Sequence, residues 1–208
     1  MLFRSTVGGT LVTTGTLSVD GTFSVANGGA TTLDISGDTL TMSGTTFNLT
    51  NLDAFTITNS TVTFDDSVDQ SVTSITLTYN VIEVTNSGTV TFTDKWTTTN
   101  FVDTTGTSTL IFNAGTTYTI TGTLDLDGLA ETSRITLDSS DSATRFTFDV
   151  TGGMQYVRYV DVSNSEASSN ALLHLRNPAL QSFFKELNPR TKSVSYRRRP
   201  IQQSYEQG

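Results

Sequence analysis

The sequence predicts an all-β protein: a single-stranded parallel β-helix, or β-solenoid, over residues 1–170, followed by a tail. Three observations carry this. Short apolar–polar–apolar doublets recur with the two-residue period of a strand, and none continues long enough for a helix. Threonine makes up roughly a fifth of the chain, far above ordinary usage, and it is both β-branched and polar, which suits a strand's solvent-facing side. All three prolines, Pro178, Pro189 and Pro200, lie after residue 177. A body without proline retains every backbone N–H that a continuous strand ladder needs.

The doublets begin near residue 10 with Leu17/Val19, Phe23/Val25, Leu33/Ile35, Leu40/Met42, Phe47/Leu49, Phe55/Ile57 and Val62/Phe64. Ile75/Leu77, Ile82/Val84 and Val90/Phe92 follow. Then come Leu110/Phe112, Tyr118/Ile120, Leu124/Leu126, Ile135/Leu137 and Phe146/Phe148. The gaps at 66–74 and 93–109 are longer, and the second reads as a loop excursion. The connections NGGA, SGDT and NAGT are turn formers. Three such strands with their turns take about 22 residues, the size of one solenoid coil. An antiparallel sandwich would need longer strands and regular two-residue turns. Each short strand instead stacks on its equivalent one coil away, about 4.8 Å distant.

A single coil cannot offset the backbone entropy of ordering it. Stacking adds ladder hydrogen bonds and outward Thr–Thr pairs worth about 0.2–1 kcal/mol each. The ends of such a stack need caps, because open strand edges are sticky. Repeat-like sequence starts almost at Met1, so the expectation is a fragment of a longer repeat protein.

The formal net charge of −8 is unevenly distributed. Residues 1–180 hold 6 Lys+Arg against 18 Asp+Glu, and residues 181–208 hold 6 against 2. The body should therefore repel nucleic acid and anionic lipid. Cysteine is absent, which excludes disulfides, thiolate metal sites and a catalytic thiol. No apolar run is long enough for a transmembrane segment, and the start, MLFRSTVGGTLVTTG, lacks the apolar core of a signal peptide.

The segment from Phe112 to Ser168 carries more specific marks: Phe112-x-Ala-Gly-x-x-Tyr118, Gly122-Thr-Leu, Gly128, Ile135-Thr-Leu and Tyr159-Val-Asp-Val-Ser-Asn-Ser165. It resembles a module recurring in very large Thr/Ser/Gly-rich bacterial surface proteins, similar to the right-handed parallel β-helices of pectate lyases and filamentous haemagglutinin. The resemblance covers about a quarter of the chain closely, and residues 10–92 share only its composition and rhythm. It implies a right-handed parallel β-helix in an extracellular or cell-surface setting, serving a structural or adhesive role. From Ala171 the composition changes, and residues 171–208 read as a basic tail. Pro178 opens a short helix there, with Leu180, Phe183, Phe184 and Leu187 on one side, and a disordered remainder follows.

No catalytic, cofactor-binding or metal site is assigned. Several residues invite a functional reading. Asp125 and Asp127 flank Leu126 and point outward about 7 Å apart, a spacing that suits an inverting glycosidase or a calcium ion. Asp65-Asp66 is a second pair. The plainer readings, a solvated face and a turn, are preferred. His174, the single histidine, is read as structural. Thr-x-Thr triplets (Thr39/Thr41, Thr56/Thr58, Thr61/Thr63, Thr76/Thr78, Thr89/Thr91 and Thr117/Thr119/Thr121) would bind ice only if one recurred per coil. Trp96 and Phe101 suit sugar stacking if exposed, but burial is the preferred reading. Asn48 and Asn59 head chance sequons. Arg190, Lys192 and Arg197–Arg199 are read as a solvated basic run.

The functional expectation is a structural or adhesive segment of an exported bacterial surface protein, not an enzyme. Its expected partners are surface glycans or neighbouring repeats of the same chain. The alternatives are a carbohydrate-binding or polysaccharide-degrading β-helix and, after those, an ice-binding solenoid.

Overall fold

A computed structural model of the protein describes residues 9–25, 31–152 and 155–167. These residues form a parallel β-solenoid of about seven turns, with no helix. The first coil comprises β1 (Gly9–Val12), β2 (Leu17–Val19) and β3 (Thr22–Ser24). The second comprises β4 (Thr31–Asp34), β5 (Thr39–Met42) and β6 (Thr46–Asn48), and the third β7 (Ala54–Thr56), β8 (Thr61–Phe64) and β9 (Gln70–Thr73). The next two coils have one long strand and one short: β10 (Thr78–Val84) with β11 (Thr89–Phe92), and β12 (Thr97–Asp103) with β13 (Thr109–Phe112). Three strands per coil return with β14 (Thr117–Ile120), β15 (Leu124–Asp127) and β16 (Ile135–Ser139), then β17 (Phe146–Val150), β18 (Gln155–Arg158) and β19 (Val160–Val162). β20 (Ser165–Ala167) opens a further turn.

Every pairing between these strands is parallel and links one coil to the next. The long strands span two faces of the solenoid. β12 pairs with β14 through Thr97 and Thr98 and with β15 through Phe101, Val102 and Asp103.

The doublets are inward-facing, as their period requires. On one face Leu17, Leu40, Val62, Ile82, Phe101 and Leu124 occupy successive register positions. On another the column is Phe23, Phe47, Val72, Phe92 and Phe112. Their aromatic rings meet along the axis, with Phe23–Phe47 centroids 5.5 Å apart and Phe92–Phe112 5.3 Å apart. Threonine, serine and asparagine fill many of the outward positions between them.

The corner between two faces is polar and buried. Gln70 Nε2 donates to the Met42 and Gly44 carbonyls of the preceding coil, at 2.7 and 2.9 Å. Asn86 Nδ2 donates to Gln70 Oε1 at 2.9 Å and to the Val68 carbonyl at 2.9 Å. Asn86 Oδ1 accepts the Gly88 N–H. The same corner draws two backbones together: a Cβ on Gly44 would lie 1.7 Å from the Gly21 carbonyl oxygen.

Three expectations are corrected. Ile75/Leu77 is not a strand. Ile75 and Thr76 turn a corner with φ of 47° and 66°, and the Asp94 carboxylate accepts the Ser74 and Ile75 N–H groups. The long gap at 66–74 contains β9, whose inward pair is Gln70 and Val72; its polar member hides the doublet. The gap at 93–109 is not an excursion, because β12 runs through it as a regular member of the stack. The tail at 171–208, with its short helix and disordered remainder, lies outside the described residues, as do His174 and the basic run.

Candidate functional site

The outer faces of β15 and β18 bring together the densest set of functional side chains. The strand period places Asp125 and Asp127 outward on either side of buried Leu126. Parallel pairing sets Tyr156 beside Asp125 and Arg158 beside Asp127 on the next coil. Arg158 forms an ion pair with Asp127, and its guanidinium lies 5.9 Å from the centre of the Tyr159 ring. Asp127 Oδ1 also accepts the Leu129 N–H at 3.0 Å, closing the turn. Partial burial raises the pKa of Asp125; the neighbouring Asp127 charge adds to the rise and Arg158 opposes it. Tyr156 is 43% exposed. Close by, Arg134 bridges Glu131 and Asp161.

The outward carboxylate pair is thus as the sequence suggested, but its cationic partner was missed. Arg158 is 31 residues from Asp127, and only the unusually long coil between β15 and β18 places it alongside. A coil of about 22 residues would not have pointed to it.

Asp65-Asp66 is a turn. Asp65 Oδ1 accepts the Asp66 N–H, Asp66 has φ 97°, and its own carboxylate accepts the Ser67 N–H. Among the described residues, no group of three or more His, Asp or Glu is placed to hold a metal ion. Trp96 and Phe101 are buried and stacked on each other, with centroids 5.1 Å apart. Asn48 is tied into a local turn through Thr50, and Asn59 has the positive φ of a turn residue.

The threonine ranks are short. Thr39/Thr41 stacks in register on Thr61/Thr63, but the next coil presents Val81 and Glu83. Thr89/Thr91 is followed by Thr109 and Ile111. Thr117/Thr119 is followed by Thr147 and Asp149. Among the described residues no rank repeats at every coil, which a flat ice-ordering face requires.

One buried acid was not singled out. Asp103 follows Val84 and precedes Leu126 in an otherwise apolar inward column. Ser108 Oγ donates to it at 2.5 Å and the Thr105 N–H at 3.1 Å. Burial pushes its pKa up to about 6 despite these bonds. The folded state therefore holds this proton more tightly than the unfolded chain. The stabilising effect of protonation is complete below about pH 4, and it is lost as pH rises through 6, by about 3 kcal/mol. Asp103→Asn removes this titration. Relative to wild type, the variant should gain about 3 kcal/mol between pH 4 and pH 7 in urea unfolding. Parallel pH profiles would show that Asp103 is not the titrating group.

Compared with family models, curated proteins and solved structures, the chain has no significant match.

Proposed function

We propose that the chain is a structural or adhesive segment of an exported bacterial cell-surface repeat protein, acting as a rod and not as an enzyme. The observation that carries this is the form of the stack. Successive coils keep one register, their interior is filled by columns of apolar side chains, and their outer faces carry short polar residues. At about 4.8 Å per coil, seven turns give a body roughly 34 Å long, with ladder hydrogen bonds along its axis. Such a rod spaces and displays what lies at its ends. The resemblance of residues 112–168 to surface-protein modules agrees with this role.

Intact cells of the source organism should present the protein to antibody and lose it to added protease. A protein found only in the cytoplasm would exclude the reading.

A second reading, glycan binding, is favoured by one feature: the exposed Tyr156 in register with Asp125 and flanked by Arg158. An aromatic face beside hydrogen-bonding charged groups suits a sugar ring. A glycan panel should then show binding that Tyr156→Ala abolishes; binding unaffected by that substitution would remove this face from consideration.

A further inference from the structure

The last described coil presents open strand edges. β18, β19 and β20 each pair with the preceding coil, and among the described residues no strand pairs on their other side. Gln155 lies in this coil. It continues the inward column that runs from Leu17 to Leu124, is only 7% exposed, and its Oε1 has no hydrogen-bond partner. The other inward glutamine shows what is missing. Gln70 bonds to the coil before it through Nε2, and its Oε1 accepts from Asn86 of the coil after it. Gln155 has no described coil after it to supply the equivalent donor. The aromatic residues of β17 also have no aromatic successor here, since the register partners of Phe146 and Phe148 are Ser165 and Ala167.

We infer that this end of the stack is a docking surface for the chain's own residues 168–187, which cover the open edges and supply the donor to Gln155. This goes beyond the surface-protein reading and does not depend on it. Three features select this occupant. The chain leaves β20 at Ala167, on the end to be covered. The segment is rich in apolar residues, with Leu172, Leu173 and Leu175 before Pro178 and Phe183 and Phe184 after it. Its charge is opposite in sign to that of the solenoid: residues 9–167 contain 18 acidic and 4 basic residues, whereas residues 168–187 carry Arg176 and Lys185 against Glu186 alone. Pro178 and Pro189 would also stop the ladder from extending further, as a protected edge requires.

The test is amide hydrogen exchange, comparing the full chain with a chain ending at Ala167. In the full chain, amides of β18 and β20 should exchange slowly and independently of protein concentration. Truncation should speed them about tenfold or more, and added peptide 168–208 should restore the protection. Should the truncated chain fail to fold, the full-length Leu173→Asp/Leu175→Asp variant serves instead. It should show the same local loss while β5 and β8 stay protected. Equal exchange with and without the segment or the substitutions would overturn the proposal. So would protection that grows with concentration alongside a dimer mass, which would assign the edge to a second copy.

Discussion

Phe112→Ala is expected to lower the unfolding free energy by about 3–5 kcal/mol, the cost of removing a large side chain from a core that cannot collapse around it. Phe112 is fully buried and sits where coils meet. Its ring centre is 4.6 Å from Phe146, 4.9 Å from Phe148, 5.0 Å from Tyr118 and 5.3 Å from Phe92. Together with Phe112 itself these neighbours span four successive coils whose backbones are fixed by ladder bonds, so the cavity stays open. Ile111→Ala, on the outward side of the same strand, should cost well under half as much. Urea unfolding of both variants checks the contrast. Equal losses would mean that the side chains do not alternate as described.

Asn86→Leu should cost about 3 kcal/mol or more, although it replaces a polar residue with an apolar one of similar size. Asn86 is fully buried and donates to the Asp65 and Val68 carbonyls and to Gln70 Oε1, while its own oxygen accepts the Gly88 N–H. Leucine satisfies none of these groups, and each one left buried without a partner costs about 1–3 kcal/mol. Asn86→Asp keeps only the acceptor and places a carboxylate against carbonyl oxygens, so it should be no better. A neutral or stabilising Asn86→Leu would show that the corner is open to water. The measurement is again the urea midpoint at constant slope.

The fold was legible because its signal is local and repeated. An inward pair such as Leu40/Met42 or Leu110/Phe112 declares a strand by itself, and dozens of residues of that rhythm without proline declare a stack. Residues failed to announce themselves where inward positions are polar. Gln70, Asp103 and Gln155 break the apolar alternation: Gln70 is held by groups of the neighbouring coils, Asp103 by Thr105 and Ser108 in the turn that follows it, and Gln155 Oε1 has no partner among the described residues. Ile75/Leu77 failed in the opposite way, because Asp94 of the following coil holds that segment in a turn. The acidic pair at Asp125 and Asp127 was visible in the sequence. Its partner Arg158 was not, because coil length varies: 20 residues separate Phe92 from Phe112 in register, but 31 separate Asp127 from Arg158.

The central claim is a parallel stack in which position along the axis counts coils. It is tested most directly by distances between spin labels on one outward column, at Thr22, Thr46, Ile111 and Asp138. Labels introduced by cysteine substitution should be separated by about 14 Å for Thr46→Cys/Ile111→Cys, about 19 Å for Thr22→Cys/Ile111→Cys and about 24 Å for Thr22→Cys/Asp138→Cys, three, four and five coil steps of roughly 4.8 Å. A uniform increment per coil is the predicted result. Distances that do not rise by one strand spacing per coil, such as a Thr22–Asp138 pair closer than Thr46–Ile111, would contradict the solenoid and the rod-like role built on it.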